Sequence, residues 1–379
     1  MNPLQRCLAD AGDHGVGHPT FRAMGACATG GLGTHQRVCD HCGSVETVPN
    51  ACRSRACPFC RQRERGEWVR AREKDLPPVG YFHAVFTVAA QLRCLAAADP
   101  AVFYRILMDA ARRALLDICA DPKHLGVTPV AFAVLHTWNQ RLHLHPHVHA
   151  VVSAGGLDPD GQWVHAGDTR RKAFLVPREV LLERFKTVLI HGLLDAHANG
   201  EWTELPTEWR ERHAFKHALV GLRKRKWSLS LERPLAGPAA LVRYLARYVN
   251  RVAIDPKRVV GYDGKTVRFT WQDRADGNRR RVESLPATDF LRRFRRHLPP
   301  RRFVRIRFWG LLAHRVRRRM LPVARAAIAK AAPPRHAVVV DTLPPPGDDG
   351  EKHGGFVCRA CGIGRMCYDG GRTAAPPPI

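Results

Sequence analysis

Residues 130–156 read VAFAVLHTW, then NQRLHLH, then PHVHAVVSAGG, and this stretch decides the fold. Val130 to Trp138 is a short apolar run and reads as a strand. Pro146 to Ser153 reads as its neighbour, and Gly155-Gly156 closes it. The seven residues Asn139 to His145 fit a slightly long hairpin loop. Upstream, Tyr81 to Val88 is a third strand, and residues 98–120 form an amphipathic helix. Downstream, residues 177–197 read as a helix, Lys226 to Leu231 as a strand and Pro238 to Val252 as a helix. Val259–Tyr262 and Thr266–Trp271 frame Asp263-Gly264, a strong hairpin signal. The elements lack a regular βαβ beat, so the expected class is α+β with a largely antiparallel sheet.

The chain has 379 residues, and at roughly 150 per domain this predicts two or three domains. Lys plus Arg is 61 against 34 for Asp plus Glu, a net charge of +27. The hydrophobic fraction of 45% supplies enough apolar surface for cores and excludes a disordered chain. A charge this large repels itself unless a polyanion neutralises it. Nucleic acid is therefore the first partner class and an anionic membrane surface the second, ahead of neutral small metabolites. No run of about 18 apolar residues predicts a membrane helix. The segment after Met1 is not an apolar leader core, so a reducing cytosolic setting is expected. The 12 cysteines then read as thiols or metal ligands before disulfides.

Composition divides the chain into a Cys- and Arg-rich module at 1–78, a central domain at 79–320, and a tail at 321–379. The tail is Pro- and Gly-rich, is expected to be flexible, and carries a lone knuckle, Cys358 and Cys361. Residues 279–319 are a basic block. Between Leu291 and Met320 there are 12 arginines interleaved with Phe294, Phe303, Phe308 and Trp309, a pattern suited to single-stranded nucleic acid. Arg305 and Arg307 lie inside it.

Three constellations could carry chemistry. Cys39 and Cys42 form one C-x-x-C knuckle and Cys57 and Cys60 another. Four thiolates at that spacing can close a tetrahedral structural Zn²⁺ site. Cys52, His35 and His41 are spare ligands nearby, while Cys7 and Cys27 read as ordinary thiols. Second, His147 and His149 are two apart on a strand and share a face. They can hold a divalent cation with positions left open. His136 is the expected third ligand and Gln140 the alternative. Third, Tyr244 and Tyr248 lie one helical turn apart, flanked by Arg243 and Arg247. They fit either paired nucleophiles or two aromatics in a packed stripe. A metal on a scissile phosphate would offset the charge that repels a phenolate, so the second and third constellations complement one another. Lys224 and Lys226, beside Trp227, fit a phosphate contact or a solvated turn.

These motifs resemble those of the two-tyrosine, HUH-type transposases of rolling-circle insertion sequences, the insertion-sequence-91-like group. The resemblance spans roughly residues 20–320. It rests on Val38 to Gly43 with Asn50 to Cys60, on Tyr81 to Thr87, on Leu135 to Trp138 with His145 to His149, on Tyr244 to Tyr248, and on Phe303 to Leu312. Three positions depart from the family pattern: Ala56 for a His, Asn250 for a His, and Trp309 for a Tyr. Ala56 favours Cys57 as the zinc ligand there.

The resemblance implies an HUH nuclease core, an antiparallel sheet with packed helices, behind a small zinc-binding domain. It implies Mg²⁺ or Mn²⁺ on His147 and His149. Tyr244 and Tyr248 would attack DNA phosphates in turn, through 5′-phosphotyrosine intermediates. Arg243, Arg247, Lys224, Lys226, Arg305 and Arg307 would bind DNA. Host helicases or replication would separate strands, since the chain has no phosphate-binding G-x-x-x-x-G-K-[ST] loop. The implied setting is the bacterial cytoplasm, at the nucleoid. Competing expectations are a non-catalytic zinc-dependent DNA-binding regulator, a plasmid replication initiator or relaxase with the same nicking chemistry, and a metallohydrolase built on the histidine pair.

Overall fold

A computed structural model describes residues 1–60, 74–166, 175–225, 227–235, 252–273, 275–331 and 357–368. Helices α1 (Pro3–Ala9) and α2 (Pro19–Gly25) precede the hairpin β1 (Thr34–Cys39) and β2 (Val45–Pro49). Strand β3 (Tyr81–Thr87) leads to helices α3 (Arg93–Ala98) and α4 (Pro100–Ala120) and to strands β4 (Thr128–Trp138), β5 (Leu144–Leu157) and β6 (Trp163–His165). Then come α5 (Arg178–Ala198), α6 (Arg212–Arg223), β7 (Ser228–Leu235), β8 (Val259–Tyr262), β9 (Thr266–Asp273) and β10 (Arg279–Pro286). Helix α7 (Ala287–Arg295), strand β11 (Ile306–Gly310), helix α8 (Arg317–Lys330) and strand β12 (Met366–Tyr368) follow.

The main sheet runs β11-β4-β5-β3-β7, with β6 added on β5, and all its pairings are antiparallel. The class is therefore α+β, as the missing βαβ beat predicts. Strands β4 and β5 are long and buried because both faces of the sheet are covered. Ala131, Ala133, Leu135, Val148, Ala150 and Val152 pack under α4 and α5. Val130, Phe132, Val134 and Val151 point the other way, against Leu321, Ala324 and Ala327 of α8. Helix α4 starts at 100 for a local reason. Asp99 accepts the Val102 N–H at 3.1 Å, and Pro100 occupies the first turn, where a missing N–H costs nothing.

The β4–β5 connection is shorter than expected, because β5 already begins at Leu144. The register shifts between the pairs His136↔His147 and Trp138↔Leu144. Pro146, which has no N–H to donate, falls in that irregularity, and β3 pairs with β5 only as far as His147.

A second core divides the chain differently from the expected boundary at 78. Leu4, Leu8, Phe21 and Met24 pack with Val267, Phe269, Phe290 and Phe294 of the β8–β10 sheet and α7. The Phe21 and Phe294 rings meet edge-on at 5.6 Å. Residues 321–331, expected in a flexible tail, belong to α8 and its packed face. The basic block 279–319 is not one track but is spread over β10, α7, β11 and the start of α8. Several of its arginines have carboxylate partners: Arg281 with Asp273 at 3.0 Å and Asp276 at 2.9 Å, and Arg293 with Glu283 at 3.0 Å. Among the described residues no helix is long and apolar enough to cross a membrane.

Candidate functional site

His136 on β4 faces His147 on β5 as a direct cross-strand pair, and His149 is two residues further along the same face. The rings lie 5.4 Å (136–147), 4.4 Å (136–149) and 4.8 Å (147–149) apart. One nitrogen from each comes within 4.8 Å of the others, so the three can close on one ion. The sheet places them by continuing the face that carries Phe132 and Val134 for one more alternation. Gln140 does not join them. Its side-chain oxygen accepts the Gln272 N–H at 3.4 Å, which turns it toward β9.

The ring orientations are set by a shell the sequence reading missed. His147 Nδ1 donates to the carbonyl two residues back, His145 O, at 2.6 Å, which leaves Nε2 as the lone-pair nitrogen. His149 Nδ1 lies 2.9 Å from His83 Nε2, and His83 Nδ1 lies 3.0 Å from Glu232 Oε2. With the carboxylate accepting from His83 Nδ1–H, His83 Nε2 accepts from His149 Nδ1–H, and Nε2 of His149 is then the lone-pair nitrogen, the form a metal ligand needs. His83 is 1% exposed. The signal available for it was a buried histidine position in Tyr81–Thr87, on the same strand parity as Tyr81 and Val85.

Trp138 stacks on His136 at 4.7 Å, and the Arg305 guanidinium lies 5.6 Å from the Trp138 ring. His297 holds the end of β4. Its Nδ1 accepts from Thr137 Oγ1 at 3.1 Å and its Nε2 donates to Leu142 O at 3.0 Å. Burial is the main cause that lowers its pKa to about 4, so it is neutral near pH 7. His145 is also lowered, by burial and then by Arg93, whose guanidinium donates to its Nδ1 at 3.1 Å.

The four cysteines Cys39, Cys42, Cys57 and Cys60 do not meet. Cys57 and Cys60 join Cys27 and Cys52, and Cys39 and Cys42 join Cys358 and Cys361. The reason is the hairpin between the knuckles. Strand β1 has six residues, about 17 Å at the usual rise per residue. Cys39 and Cys42 sit at its tip. Cys27 and Cys52 flank its base, where the Ala28 N–H donates to Asn50 O at 3.0 Å and the Cys52 N–H to Cys27 Sγ at 3.4 Å. Cys27, read from sequence as an ordinary thiol, is thus a ligand-type residue, and Cys52 is a full member of its set. Hydrogen bonding from Cys52, then from Cys57 and Cys60, lowers the Cys27 thiol. His35 bonds Asn50 Oδ1 at 2.8 Å and is in neither set. Four sulfurs without a fifth group make a closed donor set that fits structural Zn²⁺.

Tyr244, Tyr248, Arg243, Arg247 and Lys226 lie outside the described residues. Lys224 is exposed at the end of α6. Arg305 and Arg307 are half-buried. Arg307 pairs with Ala133 in register and lies 5.4 Å from the Phe303 ring, on the α4–α5 side of the sheet, away from the histidines.

Comparison with known proteins agrees with this architecture. The family model described as "Transposase zinc-binding domain" matches residues 11–88, and the one described as "Putative transposase" matches residues 131–320. The chain is 38% identical over 315 residues to "Putative transposase y4qJ" of Sinorhizobium fredii, covering 82% of this chain and 78% of that one. It is 31% identical over 335 residues to the transposase for insertion sequence element IS801 of Pseudomonas savastanoi pv. phaseolicola, covering 86% and 77%. No solved structure matches. The histidine-bearing strands thus fall within one model and the cluster at the hairpin base within the other, and the chain belongs to the insertion-sequence-91-like family of zinc-binding transposases, whose substrate is DNA.

Proposed function

We propose that this transposase nicks and rejoins single-stranded DNA ends through 5′-phosphotyrosine intermediates. The observation that carries the reading is the open three-histidine cluster on β4 and β5. His136, His147 and His149 would hold one divalent ion, which supplies charge compensation at a scissile phosphate. The donor set is all imidazole, with no carboxylate, so Mn²⁺ should bind more tightly than Mg²⁺. His83 and Glu232 hold the His149 ring in its ligand tautomer. His145 O does the same for His147.

Tyr244 and Tyr248 are the proposed nucleophiles. The tyrosine phenol gives up its proton as its oxygen attacks the phosphorus, the bond to the 3′ oxygen breaks, and that oxygen takes up a proton and leaves as a free 3′-hydroxyl. That hydroxyl, or one from a second strand, later attacks the phosphotyrosine and regenerates the phenol. The phosphodiester energy is conserved, and joining needs no ATP. Arg243 and Arg247 would grip the phosphates beside the nucleophiles, and host helicases or replication would supply unpaired strands. The test is incubation with labelled single-stranded DNA carrying the element's ends, with Mn²⁺ or Mg²⁺. A metal-dependent covalent protein–DNA band is expected. Its absence, or its persistence in the Tyr244→Phe, Tyr248→Phe double variant, contradicts the proposal. A non-catalytic DNA-binding protein would bind the DNA and give no band.

A further inference from the structure

We propose that Cys39, Cys42, Cys358 and Cys361 form a second closed Zn²⁺ site, a clasp that fastens the far C-terminal segment to the tip of the N-terminal hairpin. The family match to a zinc-binding domain ends at residue 88, so it includes only half of this set.

The sulfur geometry comes first. Cys39 Sγ lies 3.8 Å from Cys361 Sγ, and Cys42 Sγ lies 3.6 Å from Cys358 Sγ. A tetrahedron of sulfurs each 2.3 Å from Zn²⁺ has edges of about 3.8 Å. A disulfide would need about 2.05 Å, and all four cysteines are free.

The two knuckles are built alike. In the first, the Cys39 N–H donates to Ser44 O at 2.9 Å and the Gly43 N–H donates back to Cys39 O at 3.1 Å. In the second, the Cys358 N–H donates to Gly364 O at 2.7 Å and the Gly362 N–H to Cys358 O at 2.8 Å. Each C-x-x-C is followed by a glycine in the left-handed region, Gly43 at φ 70° and Gly362 at φ 69°. Backbone N–H groups point at the sulfurs: those of His41 and Cys42 reach Cys39 Sγ at 3.4 Å, and that of Gly364 reaches Cys361 Sγ at 3.3 Å. Such donors stabilise thiolates, the form that binds metal. Gly364 is held to hydrogen by the same crowding, since a Cβ there would overlap Cys39 Sγ and His41 Cβ.

The segment also needs a metal for its own order. Among residues 357–367, only Cys358 and Gly364 are buried. Strand β12 contributes three register pairs with β1, Arg37↔Tyr368, Val38↔Cys367 and Cys39↔Met366. Asp40 adds its N–H to Arg365 O at 3.0 Å and accepts the Arg365 N–H at 2.6 Å. An apolar face too small to offset the ordering entropy leaves a closed metal site as the source of cohesion. The clasp brings together residues more than 310 apart in sequence and covers the outer edge of β1.

The test counts zinc in the full chain carrying His147→Ala and His149→Ala, so that the histidine site contributes none. Two zinc ions per chain are expected there, and one when Cys358→Ser and Cys361→Ser are added. One zinc before those changes, or two after them, overturns the proposal. A protease site inserted after residue 346 provides a second readout. After cleavage the C-terminal peptide should stay with the body through gel filtration and leave when a chelator is added. Release without chelator, or retention in the Cys358→Ser, Cys361→Ser variant, contradicts the clasp.

Discussion

His147 and His149 are neighbours on one strand, and His136 faces them across a single register pair, whereas Cys39 meets Cys361 across 322 positions of chain. The two kinds of site differ in origin as well as ligand count. The histidine site uses a sheet that burial already holds rigid, and it presents three donors. The cysteine sites join segments far apart along the chain, one set at the edge of the second core and the other on a C-terminal segment with little burial of its own, and each presents four. An open set suits chemistry, and a closed set suits holding segments together. Removing a histidine should therefore cost metal and activity with little structure. Removing a cysteine should cost structure first.

The largest expected effect is Cys57→Ser. Cys57 is buried in the core formed by α1, α2 and the β8–β10 sheet. Structural zinc is worth on the order of 10 kcal/mol or more, comparable to a domain's whole stability. Calorimetry should show the N-terminal transition lost along with one zinc. Retention of both would break the contrast.

Next is His147→Ala. Mn²⁺ affinity measured by titration calorimetry should fall at least about 100-fold, on the scale set by losses from outer-shell changes alone. The melting temperature of the metal-free protein should move little, and a large drop would place His147 with the structural residues instead.

The third concerns pH. The folded pKa of His297, about 4, lies below its unfolded value of 6.5. The neutral form is the one folded into place, so its contribution is complete above pH 6.5 and is lost as pH falls toward 4. A shift of that size corresponds to roughly 3 kcal/mol. Denaturant titrations of the wild type and of His297→Asn should converge as pH falls through this window. Parallel curves would contradict the assignment.

The smallest is His83→Gln. Loss of an outer-shell partner typically costs about 10- to 100-fold in metal affinity. Mn²⁺ affinity should drop within that range while His136, His147 and His149 remain, and Glu232→Gln should follow in the same direction. Unchanged affinity in both would remove the relay from the account.

The histidine site was legible because its information is local. Period-two alternation puts His147 and His149 on one face, and a short hairpin returns the chain past His136. The cysteine pairing was not legible from the nearest knuckles, since β1 and β2 stand between tip and base. A count held the missing signal: knuckles at 39, 57 and 358 with single cysteines at 27 and 52 supply eight ligands, enough for two sites. His83 escaped because it lies on a strand distant in sequence, brought alongside by the β3–β5 pairing. The basic block divided for a related reason. Charge pattern shows attraction for a polyanion, while the strand and helix signals within it decide which arginines share a surface.

The most direct measurement is mass-spectrometric mapping of the protein–DNA adduct formed on single-stranded element ends with Mn²⁺. The account predicts a nucleotide on Tyr244 or Tyr248 in the wild type, and none in His147→Ala. An adduct on another residue, or one formed equally well without His147, would contradict it.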